Sequence, residues 1–75
     1  MGKSSYVPLR DRIRQARRDS GMTQQELADL MGVTVRAVQG WELGESSPAL
    51  GRRRRLARVT NRPMEFFNDR FEVAA

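Results

Sequence analysis

Thr23-Gln24-Gln25-Glu26-Leu27-Ala28-Asp29-Leu30-Met31-Gly32-Val33-Thr34-Val35-Arg36-Ala37-Val38-Gln39-Gly40-Trp41-Glu42 is the stretch that decides the fold. Thr23 stands three residues before Glu26, the spacing of a helix capping box. Leu27, Ala28 and Met31 then recur at helical spacing. Gly32 interrupts them where a left-handed backbone would turn the chain. Thr34 can cap a second helix whose apolar positions are Val38 and Trp41. The spacing therefore predicts a short helix, a glycine turn and a second helix.

That arrangement is a helix-turn-helix, which can place its second helix in the major groove of DNA. The composition agrees. The chain has 75 residues and a net charge of +5, and 13 of its 14 basic residues are arginine. Such a surface attracts polyanions, and the fixed donor fork of arginine suits phosphates and base edges. The chain holds no cysteine and no histidine. Disulfides, thiolate metal sites and the commonest acid–base residue are thereby excluded. No phosphate loop or metal-ligand cluster appears, so neither an enzyme nor a cofactor is expected. No apolar run approaches the roughly 18 residues of a membrane span, and a cytoplasmic protein is expected.

Outward from the motif, residues 1–8 read as a flexible N-terminal arm, with Pro8 in the first turn of a helix. Helix 1 is predicted over 9–20, with Leu9, Ile13 and Ala16 as its apolar stripe. Arg10, Arg12, Arg14, Arg17 and Arg18 cover the rest of it, and Gly21 caps it. The recognition helix is predicted over 35–43. Gly44 should end it and Pro48 should open the next helix. Helix 4 is predicted over 49–60, burying Leu50, Leu56 and Ala57. A short fifth helix over 63–68 turns Met64 and Phe67 inward. The tail, 69–75, reads as a strand, a helical extension or a disordered end.

Residues from about Leu9 to Phe67 resemble the Cro/repressor-type, XRE-like helix-turn-helix domains of bacteriophages and bacteria. Arg17, Gly21-Met22-Thr23-Gln24-Gln25-Glu26-Leu27-Ala28, Gly32-Val33-Thr34, Val38, Trp41-Glu42, Gly44, Pro48 and Leu56-Ala57 carry the likeness. It implies an all-α, compact five-helix bundle over 9–68, with Ala28, Gly32 and Val38 as the packing triad and Trp41 in the core. It also implies that Arg17 pairs with Glu42, a structural role. Gln24 would then bond a phosphate and buttress the recognition helix. Three departures stand out: Arg53 replaces a buried leucine, Arg62 replaces a valine before helix 5, and Gly40 replaces a side chain that reaches DNA.

With Val38 and Trp41 turned to the core, the opposite face of the recognition helix presents Val35, Arg36, Gln39 and Gly40. Arg36 can bond a guanine twice or a phosphate once, and Gln39 can pair with an adenine edge. Val35 can pack on a thymine methyl, and Gly40 lets the backbone approach. Expected backbone contacts come from Gln24, Thr23, Thr34 and Gln25, from Arg52 and Arg53 on helix 4, and from Lys3 and Arg10. For the arginine run 52–55 the alternative is a solvated charged face. Phe66 and Phe71 are left over from the core and suggest a homodimer built from helix 5 and the tail. The alternative is that both fold back on the monomer. Val73-Ala74-Ala75 resembles an apolar carboxy-terminal tag for Clp-type proteases.

These expectations converge on a small regulator, a repressor of the Cro or phage immunity type. It would bind an operator of double-stranded DNA with two-fold related half-sites and take no small-molecule effector. The alternative class is an antitoxin-like or adaptor module that binds proteins and only weakly binds DNA.

Overall fold

The computed structural model of the chain describes residues 4–68 and 72–74, the segments 4–6 and 72–74 by their backbone alone. Four α-helices carry the architecture: α1 (Leu9–Asp19), α2 (Gln24–Met31), α3 (Val35–Leu43) and α4 (Leu50–Val59). A 3-10 turn, Met64–Phe67, follows, and two short strands, β1 (Ser4–Tyr6) and β2 (Glu72–Ala74), lie at the ends.

The expected boundaries of α2 and α3 hold, because both starts are capped. Thr23 Oγ1 accepts the Glu26 amide at 3.1 Å, and Glu26 Oε1 accepts the Thr23 amide at 2.8 Å. Thr34 Oγ1 accepts the Ala37 amide at 3.2 Å. The far ends share one device. The amide two or three residues past each helix reaches back to the carbonyl five residues earlier: Met22 to Arg17, Val33 to Ala28, Glu45 to Gly40 and Arg62 to Ala57. This requires a left-handed residue at the bend. Gly32 supplies it at the turn between α2 and α3, with φ 71°. Asn61 supplies it after α4, with φ 56°, a conformation that asparagine tolerates better than most residues.

The core is formed by Ile13 and Ala16 of α1, Leu27, Ala28 and Met31 of α2, Val38 and Trp41 of α3, Leu56 and Ala57 of α4, and Phe67. Ala28 is fully buried, so a larger side chain at that position would force α2 and α3 apart.

Several expectations are corrected. The fifth helix is not α-helical, so the bundle has four α-helices and a 3-10 turn. Pro63 and Asn68 bound a segment of four residues, and its bonds, Phe66 N–H to Pro63 O and Asn68 N–H to Glu65 O, span three residues each. Leu50, expected in the core, is 50% exposed at the start of α4. Where the sequence suggests a flexible arm, Ser4–Tyr6 pairs antiparallel with Glu72–Ala74. The register is Ser4 with Ala74, Ser5 with Val73 and Tyr6 with Glu72. The tail thus takes the strand alternative over 72–74. Val73 and Ala74 of the tag-like end lie in β2, and Ala75 lies outside the described residues, as do Lys3 and Phe71.

Arg12 is the largest departure. Expected on the outer face of α1, it is 1% exposed. Its Nε donates to Val7 O at 2.8 Å, and its Nη1 donates to Phe66 O at 2.6 Å and Asn68 O at 2.8 Å. One guanidinium thus joins the entry to α1 with the 3-10 turn. A buried charge is tolerable there because its donor fork meets carbonyls that the short 3-10 turn and the chain entering α1 leave without helical partners.

Candidate nucleic-acid interface

The recognition helix is locked from behind by one carboxylate. Glu42 is 2% exposed. Arg17 Nε and Nη2 donate to its two oxygens at 2.7 and 3.1 Å, the bidentate pair that the resemblance implies. Gln24 Nε2 donates to Glu42 Oε1 at 3.0 Å, so the first residue of α2 is tied to the last turn of α3. Arg14 Nη2 adds a bond to the Glu42 carbonyl at 2.8 Å. Arg17 also reaches Met22 O at 2.9 Å, which closes the link to the α1–α2 bend. Three segments are therefore fixed through a single buried anion, and none of its oxygens is left without a partner.

With that face fixed, the opposite face of α3 is set. Arg36 and Gln39 are exposed and lie three residues apart, on one side of the helix. Val35 is half-buried and packs against the core, leaving part of its side chain outside. Gly40 stands four residues after Arg36, on the same side of the helix. It is buried, and a Cβ built on it would meet Ser46 Oγ at 3.1 Å. Its carbonyl accepts the Glu45 amide at 2.9 Å. The glycine therefore makes room for the loop after α3.

Gln25 is exposed at the start of α2 and bonds Asp29 Oδ1 at 2.9 Å. Thr23 and Thr34 are exposed at their caps, and each hydroxyl retains its proton for a further bond. The arginine run divides by helical angle. Arg52 and Arg54 are exposed. Arg55 is exposed and donates to Leu30 O at 3.4 Å. Arg53 is half-buried and donates to Phe67 O at 3.4 Å, so it faces the 3-10 turn. Arg10 is exposed beside Gly44, with its Nε 4.0 Å from an Asp11 carboxylate oxygen.

Phe66 is not left over from the fold. It is half-buried, meets Phe67 edge-to-face at 5.2 Å, and carries Arg62 over its ring at 5.0 Å. Arg62 also pairs with Asp19 at 2.6 Å. Arg53 and Arg62, two of the three departures from the family pattern, thus both serve the packing of the 3-10 turn. Sequence reasoning missed Arg12 altogether. The signal was its spacing: Arg12 and Ala16 stand four apart and border Ile13, so a basic residue sits on the apolar stripe.

Among the described residues no group of three or more acidic, cysteine or histidine side chains could hold a metal ion, and no helix is long and apolar enough to cross a membrane.

The comparisons with known proteins identify the family of this fold. The helix-turn-helix family model matches residues 13–67. The chain belongs to the Cro/repressor-type, XRE-like helix-turn-helix family. It is 41% identical over 54 residues to an uncharacterized HTH-type transcriptional regulator of Methanothermobacter thermautotrophicus, covering 72% of this chain and 78% of that protein. A second such regulator, from Archaeoglobus fulgidus, is 40% identical over 57 residues, covering 76% of this chain and 81% of the relative. A third, from Sinorhizobium medicae, is 32% identical over 61 residues, 81% of this chain. The match spans 44% of that longer protein.

Proposed function

We propose that this chain is a sequence-specific DNA-binding transcriptional regulator that acts as a repressor by occupying an operator. The observation that carries the reading is the pairing of Arg36 and Gln39 on one exposed face of α3. The far side of that helix is buried through Val38, Trp41 and Glu42. A helix so held can enter a major groove without moving. Arg36 reads a guanine, Gln39 an adenine edge and the outer part of Val35 a thymine methyl. Gln24, Gln25, Thr23, Thr34, Arg52, Arg10 and Lys3 position the domain on the sugar–phosphate backbone. Two copies bind half-sites about 10 base pairs apart, the spacing that two-fold symmetry imposes. The names of the relatives, HTH-type transcriptional regulators, support the same class. Such a protein works in the cytoplasm, on the nucleoid.

A mobility-shift assay on DNA upstream of the chain's own gene, at two salt concentrations, tests this. Specific retardation that survives competitor DNA is expected. Weak, salt-sensitive and sequence-blind binding would overturn the reading in favour of a protein-binding adaptor. Light scattering of the complex on one half-site and on two half-sites tests the two-fold arrangement. A single copy on both DNAs would reject it.

A further inference from the structure

A cleft of about 200 Å³ lies between the start of α1, Trp41 of α3 and the loop after α3. Leu9, Pro48 and the indole of Trp41 give it apolar walls, and Arg10, Ser46 and Ser47 line it with donors. Trp41 is 5% exposed, and its indole N–H donates to no acceptor among the described residues. A nearly buried N–H of this kind costs free energy until something accepts from it. The guanidinium of Arg10 is likewise uncommitted. It donates no hydrogen bond among the described residues, and Asp11, 4.0 Å from its Nε, is shared with Arg14 at 3.9 Å. Gly44 lets Arg10 lie there, since a Cβ on that residue would meet Arg10 Cδ at 3.1 Å and Nη1 at 3.5 Å. The exposed Ser46 and Ser47 hydroxyls also donate to no acceptor among the described residues. Unspent donors from three segments thus line one small cleft, with no acidic side chain among the described residues of its wall.

The donors name the ligand. A carboxylate accepts from a guanidinium through two oxygens and keeps lone pairs for an indole N–H and a hydroxyl. The apolar walls suit a small hydrocarbon body beside it. With liquid water at about 30 Å³ per molecule, the cleft has room for an acid of roughly seven to ten non-hydrogen atoms. We propose that the cleft binds a small organic carboxylate, with Arg10 and the Trp41 N–H on its oxygens, and that this ligand is an effector of DNA binding. Arg10 is one of the residues placed on the DNA backbone above, so a carboxylate that takes it removes one phosphate contact. This reverses the expectation from the sequence, which holds no motif for an effector. The effector role rests on the DNA-binding reading, and the cleft itself does not.

Benzoate is an acid of this size and serves as the probe. Trp41 is the one tryptophan of the chain, so its indole N–H gives a single signal in a proton–nitrogen NMR spectrum. Benzoate titrated into the free protein should move that signal and saturate. Benzamide, of the same shape without the charge, should need about tenfold more to do so. Arg10→Gln, an exposed substitution that should melt as the wild type does, should weaken benzoate binding by about tenfold. An unmoved signal, or equal effects of benzoate and benzamide, would overturn the site. Inorganic phosphate moving the signal as far as benzoate does would overturn the assignment to a carboxylate. Fluorescence anisotropy on a duplex, at equal ionic strength, tests the effector role. Replacing chloride with benzoate should weaken binding roughly fivefold, in keeping with one lost phosphate contact, and Arg10→Gln should lose that response. Unchanged affinity beside a saturating indole shift would overturn the effector role alone. A protein whose indole signal answers benzoate but which binds no duplex would sink the DNA reading instead.

Discussion

At the scale of single residues, two kinds of arginine and glutamine must be told apart. Arg36 and Gln39 end in solvent, and their truncation leaves nothing buried unpaired. Arg36→Ala or Gln39→Ala is therefore expected to leave the melting temperature within about a degree or two of wild type, as surface substitutions do. Each should cost roughly 1–3 kcal/mol of binding to the specific site and relax preference at one base pair. Arg12 behaves the opposite way. Its removal takes the donor from the carbonyls of Val7, Phe66 and Asn68 and empties a buried position. Arg12→Leu is expected to destabilise the fold by about 2–4 kcal/mol in urea denaturation, because three bonds to a charged donor are lost and no other hydrogen bond among the described residues ties the entry of α1 to the 3-10 turn in their place. A variant as stable as wild type would show that those carbonyls find water instead.

At the scale of elements, α4 supplies a contrast within two adjacent positions. Arg52 is exposed and Arg53 leans on the 3-10 turn. Arg52→Ala is expected to flatten the salt dependence of DNA binding by about one contact with stability unchanged. Arg53→Ala should lower stability and leave the salt slope alone. Equal slopes in the two variants would contradict the division. In α3, Gly40 meets only the exposed Ser46 hydroxyl, which a rotamer change can move. Gly40→Ala should then gain the helix propensity of alanine and stabilise the protein by about 0.5–1 kcal/mol, with DNA affinity unaltered. A fall in affinity without a fall in stability would put the Gly40 backbone against DNA.

At the scale of the whole molecule, what the sequence revealed and what it hid divide along a physical line. The capped starts of α2 and α3, the Gly32 bend and the Arg17–Glu42 pair were legible. The first two are local backbone chemistry, and the third follows from the family likeness. Arg12, Arg53 and Arg62 were not legible as packing residues, because the Phe66 and Asn68 carbonyls that Arg12 engages, the Asp19 carboxylate that Arg62 engages and the Phe67 carbonyl that Arg53 engages lie 54, 56, 43 and 14 residues away. A charged residue by itself gives no hint of burial. The 3-10 turn was misjudged as a helix because four residues between Pro63 and Asn68 satisfy a helical apolar pattern without the length to propagate it. The face of α3 was legible only in part. Helical periodicity separated Arg36 and Gln39 from Val38 and Trp41, but it could not foresee the loop that folds over Gly40.

The antiparallel ribbon sets Ser4 directly beside Ala74. The backbone therefore nearly closes on itself, and a linker of a few residues could make it a ring without crossing the domain. A circular permutant with those ends joined and a new opening cut between α3 and α4 should fold. Such a permutant would retain every contact to Glu42 while reversing the order in which the ribbon and the recognition helix are synthesised.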